Sequence, residues 1–163
     1  MRAPARTVLV LFSVAGLAIL SGDAPAAKPP PPQGALVAAL ADELHAAALY
    51  EATIFRHGIV EPFASVFESE LAHVDRLLLL FEAYGIEPPY GAPIEHTAVP
   101  GTVRDACRLA AANERATIVL YGRLLDEVTQ PDVRALFARL REVARVRHLP
   151  AFERCAARRD RRR

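Results

Sequence analysis

From Ala35 onward the apolar residues of this chain recur at intervals of three and four, the spacing that lines one face of an α-helix and excludes an alternating strand. The first stretch steps through Leu36, Leu40, Glu43, Ala47, Tyr50 and Ile54, and Gly58 ends it, because Gly tolerates the left-handed backbone that closes helices. Pro62 suits the first turn of a second helix. Its seam runs Val66, Glu70, His73, Leu77, Leu80 and Tyr84, with Gly85 as the stop. A third seam follows through Val103, Cys107, Ala110, Glu114, Thr117, Tyr121, Leu124 and Val128. Thr102 with Asp105 in front of it resembles a capping box. Pro131 opens a fourth helix with seam Val133, Phe137, Leu140, Ala144, His148, Phe152 and Cys155. Pro150 inside it predicts a kink just after His148.

The connections complete an all-α fold. Ile86 to Gly101, rich in Pro and Gly, is the longest link, and the other two are short. Two short links and one long crossover between helices two and three fit an antiparallel four-helix bundle. No repeat of solenoid length recurs. Aromatics make up only 7% of the chain, without Trp, which also favours helices over a β-sandwich or barrel.

The ends read differently. Met1 to Arg6 carries two Arg, Thr7 to Leu20 carries no charge, and small residues surround Ala26. Residues 1–26 are therefore expected to be a signal peptide and the protein exported, periplasmic or secreted, with an uncleaved N-terminal anchor as the alternative. Residues 27–34 form a stiff Pro-rich linker, 35–157 the bundle, and 158–163 an Arg-rich tail. With 20 basic and 19 acidic residues the chain has no nucleic-acid footprint. No membrane span is expected in the mature chain. Two Cys exclude both a disulfide-dense scaffold and a Cys₄ zinc site.

The chemistry shows as charge on the wrong face. Charged residues belong on the solvent side of an amphipathic helix. Glu43, Glu70, His73 and Glu114 lie instead on the apolar seams. A carboxylate inside a core is costly unless it is paired or binds a metal. In Glu70-x-x-His73 the two side chains sit one turn apart on one face and can reach one ion. One Glu from each of two helices, with Glu-x-x-His from the others, is the pattern of carboxylate-bridged di-metal bundles.

Glu43-x-x-Ala46-x-x-x-Tyr50, Glu70-x-x-His73, Glu114 with Tyr121, and His148-Leu149-x-Ala151-Phe152 together resemble the ferritin-like superfamily. Gly58, Pro62-Phe63 and the His148 to Phe152 run are similar to its rubrerythrin-related branch of bacterial and archaeal domains without an assigned activity. The resemblance covers residues 35–156. It implies the bundle fold, a metal site with Glu43, Glu70, His73, Glu114 and His148 as ligands, and ferroxidase or peroxidase chemistry. The mixed carboxylate and imidazole donors suit Fe, Mn or Zn, as one or two ions. No organic cofactor is expected, and no rubredoxin-type Cys cluster delivers electrons.

One position departs from that pattern. The second Glu-x-x-His slot reads Arg145-x-x-His148, and Glu142 lies about 240° around the helix from His148 and cannot substitute. Three carboxylates balance one divalent ion plus Arg145, so Arg145 is expected to stand in for a second metal, the alternative being an outward-facing Arg. Tyr50 and Tyr121 are expected to hydrogen-bond a ligand Glu on the facing helix. Cys107 and Cys155 fall at matching heights on helices three and four and are expected to form a disulfide, with a metal-binding or redox dithiol as the alternative. Asp42, Glu51 and Glu68 read as solvated, and His45, His57 and His96 as surface residues. Leu77 to Phe81 reads as core or as a homodimer surface.

Three functions compete on this reading. The first is an exported metal-binding bundle with oxidoreductase chemistry. The second is a storage or buffering protein without turnover. The third is a bundle without metal that acts as a structural or interaction module.

Overall fold

The computed structural model describes residues 31–89 and 98–158. The expected signal peptide, residues 27–30 of the linker, His96 and residues 159–163 of the Arg tail lie outside the described residues. Among the described residues every regular element is helical: α1 (Gln33–His57), α2 (Phe63–Tyr84), α3 (Val103–Glu127), α4 (Pro131–Val143), a π-turn (Ala144–His148) and α5 (Leu149–Ala157). None of these helices is long and apolar enough to cross a membrane.

Local chemistry sets the boundaries. Gly58 (φ 84°) and Gly85 (φ 64°) end α1 and α2 in conformations that a β-carbon disfavours. Thr102 caps α3: its Oγ1 accepts from the Asp105 N–H at 3.1 Å and donates to Asp105 Oδ2 at 2.8 Å. Pro131 occupies the first turn of α4, where its missing N–H costs nothing.

The fourth rod departs from the expected kink. The distortion precedes His148 instead of following it: the Leu149 N–H donates to the Ala144 carbonyl, a five-residue step that defines the π-turn. Pro150 supplies no N–H to continue the α-helical ladder, and the chain takes up the defect in the turn before it. α4, the π-turn and α5 therefore form one interrupted rod.

α1 packs along α2, and α3 packs along α5, with α1 also against α3. The apolar interior falls into two clusters. One gathers Leu36, Leu40, Leu77, Phe81, Tyr121, Phe137 and Leu140. The other gathers Tyr50, Phe63, Val66, Ala110, Phe152 and the Cys107–Cys155 disulfide. Leu77 and Phe81 are fully buried, so most of that run is core, and Leu79 faces out. The polar layer lies between the two clusters.

Candidate metal centre

Five side chains converge in that layer, each between 1% and 4% exposed: Glu43 from α1, Glu70 and His73 from α2, Glu114 from α3, and His148 at the end of the π-turn. Each lies on the apolar seam of its helix, so burying the seam buries them too. They form two overlapping groups. Glu43, Glu70 and His73 offer ligand atoms within 4.8 Å of one another, and so do Glu70, Glu114 and His148. Either group could hold a metal ion.

Glu70 is the shared member. His73 Nδ1 lies 2.8 Å from Glu70 Oε2 and 3.1 Å from Glu43 Oε2. His148 Nδ1 lies 3.0 Å from the other Glu70 oxygen, Oε1, and 3.5 Å from Glu114 Oε2. Both imidazoles thus turn Nδ1 toward the carboxylates, with their rings stacked at 5.7 Å. Two tyrosines complete a reciprocal frame. Tyr50 on α1 donates to Glu114 Oε1 on α3 at 2.5 Å, and Tyr121 on α3 donates to Glu43 Oε1 on α1 at 2.5 Å.

The electrostatics follow from burial. Burial pushes the Glu43 carboxyl up to about 8 and also raises Glu114. Burial would raise Glu70 as well, but hydrogen bonds from His148, His73 and Glu43 outweigh it and hold Glu70 well below the carboxylate range. For both imidazoles burial alone would lower the pKa. Hydrogen bonds to Glu43 and Glu70 overcome it at His73, and bonds to Glu114 and Glu70 at His148, so both rise to about 9. Without an ion, two imidazolium protons therefore stand where cations would. Burial, and then the adjacent carboxylates, lift Tyr50 and Tyr121 far above the ordinary phenol value, so both remain donors.

Arg145 requires correction. Its guanidinium points away from this layer and forms a two-pronged pair with Glu142, at 2.9 and 2.7 Å. Its side chain is 58% exposed. The π-turn holds more residues per turn than an α-helix, so the residue four before His148, not three before, shares its face. That residue is Ala144, which is buried and lines the site with Ala46 and Leu140. The slot expected for a second inward carboxylate holds a methyl group, and no Arg replaces an ion.

Asp42 and His57 differ from expectation as well, whereas Glu51 and Glu68 do not. Asp42 is half-buried, accepts from Thr117 Oγ1 at 2.7 Å, and has its pKa raised chiefly by burial. His57 Nε2 meets the Pro100 carbonyl at 2.9 Å and so ties the end of α1 to the crossover. Glu51 and Glu68 are exposed. Ser69 was not legible: its Oγ lies 3.3 Å from His73 Nε2 and 3.1 Å from His148 Nε2. Its only sequence signal is its place one turn before His73.

No protein-family model matches the chain, and no curated protein matches it. Among solved structures it is similar to the hypothetical protein MJ0754 from Methanococcus jannaschii DSM 2661, with 21% identity, a TM-score of 0.68, and coverage of 76% of this chain and 78% of that one. At that identity the likeness is one of helical fold alone.

Proposed function

We propose that the chain is an exported metalloprotein with a ferritin-like four-helix bundle, in which Glu43, Glu70, His73, Glu114 and His148 hold two divalent ions. The observation that carries this reading is the pair of overlapping Glu/His groups with Glu70 common to both. Each ion would take two carboxylates and one imidazole, with Glu70 offering one oxygen to each side. The donor set, carboxylate oxygen with imidazole nitrogen, fits Fe, Mn or Zn better than Cu(I). We take iron as the leading candidate, because iron in such a setting supplies one-electron chemistry with dioxygen or peroxide. The protein's part is to fix the five ligands, to orient Glu43 and Glu114 through Tyr121 and Tyr50, and to exclude bulk water.

The near-complete burial of the five side chains favours a second reading, in which the ions are held for storage or buffering without turnover. Elemental analysis of protein purified without chelator tests the common part of both. About two ions of Fe, Mn or Zn per chain are expected. None, even after reconstitution with Fe(II), would sink the metal reading. Peroxide-dependent oxidation of Fe(II) over many cycles separates enzyme from store.

A further inference from the structure

The metal reading uses the Nδ1 side of each imidazole and leaves the Nε2 side unexplained. Both Nε2 atoms face the same hydroxyl. Ser69 Oγ lies 3.3 Å from His73 Nε2 on its own helix and 3.1 Å from His148 Nε2, which comes from a residue 79 positions further along the chain. The near-parallel stacking of the two rings, 25° apart, brings both nitrogens within reach of one oxygen.

We infer that Ser69 is the positioning residue that sets both histidines for metal binding and makes the two half-sites depend on each other. This rests on the metal reading above. A neutral imidazole that ligates through Nδ1 carries its hydrogen on Nε2. A serine hydroxyl has two acceptor lone pairs. One Ser69 oxygen therefore accepts from both rings at once and holds both in the tautomer that presents Nδ1. It also holds their planes, because each ring is fixed at two opposite nitrogens. Glu70 joins the half-sites on the ligand side, and Ser69 joins them on the far side. Hydrogen-bond partners of this kind behind a ligating imidazole typically control metal affinity by about 10–100-fold.

Thr keeps the hydroxyl and Ala removes it, so the full mature chain is compared as wild type, Ser69→Thr and Ser69→Ala. Co(II) is titrated and followed by its visible bands, Zn(II) is titrated against a chromophoric chelator, and thermal midpoints are taken without metal. In Ser69→Ala, weakening by about 10–100-fold is expected at both ions. In Ser69→Thr, affinity and ion-free midpoint should stay close to wild type, whereas Ser69→Ala, which leaves two buried Nε2–H groups without their acceptor, should also lower the ion-free midpoint. Imidazole ¹⁵N shifts of the Zn(II)-loaded wild type should show hydrogen on Nε2 of both rings. Wild-type affinity in Ser69→Ala would overturn the inference, as would a loss at one ion only or a drop in ion-free stability with affinity unchanged. A wild-type protein that binds neither Co(II) nor Zn(II) would fail at the earlier step and remove the metal reading together with this one.

Discussion

At the scale of single residues, the site stores protons that an ion would displace, and this gives it a pH signature. His73 and His148 are raised from 6.5 to about 9, so their stabilisation is complete below about pH 6.5 and is lost as pH rises through 9. Glu43, raised from 4.5 to about 8, acts in the same direction. Glu70 is lowered, so its contribution is present above 4.5 and is lost only in strong acid. Between about pH 6.5 and 9 every shifted group in this layer that titrates loses stabilisation. The thermal midpoint of metal-free protein should fall across that window, and a midpoint that climbs would contradict the proton placement. The five converging residues were legible in the sequence because a carboxylate or imidazole among apolar neighbours stands out against helical periodicity. Ser69 and Asp42 were not. Both lie at the edge of a seam, where a small polar side chain reads as solvated and only the facing helix shows otherwise.

At the scale of the element, the π-turn decides what the fourth rod contributes. Its register was partly written in the sequence. The seam steps from Leu140 to Ala144, His148 and Phe152 in three successive fours, a longer period than an α-helix keeps. The Glu-x-x-His template assumes the α-helical period and so directs attention to Arg145, while the seam itself already runs through Ala144. Two substitutions separate the alternatives. Arg145→Glu should leave ion stoichiometry and affinity unchanged by equilibrium dialysis, because position 145 faces solvent. Ala144→Glu should tighten binding of the second ion and destabilise the metal-free protein by about 1–3 kcal/mol, the cost of another buried polar group. The reverse pattern would restore Arg145 to the site.

At the largest scale, the described residues form two unequal hairpins. Residues 31–89 hold nine acidic and two basic residues, and residues 98–158 hold seven and eleven, so the halves carry −7 and +4 and attract each other. They also differ covalently. Cys107 and Cys155, 48 residues apart, turn α3, α4 and α5 into a closed ring. Opening that ring in Cys107→Ser/Cys155→Ser should cost about 4 kcal/mol by loop entropy, read from denaturant midpoints, and a loss under 1 kcal/mol would speak against that account. The α1–α2 hairpin has only its short turn at Gly58–Pro62 to join it. One hairpin is therefore closed by a covalent bond, and the other is held by its turn and by noncovalent packing. The disulfide-closed hairpin carries Glu114 and His148, and the other carries Glu43, Glu70 and His73. Hydrogen exchange in the metal-free protein should be faster in α1 and α2 than in α3, which the disulfide ties to α5. An ion gripped from both sides would act as a second cross-link, this one between the hairpins, and bring the two to nearly equal protection.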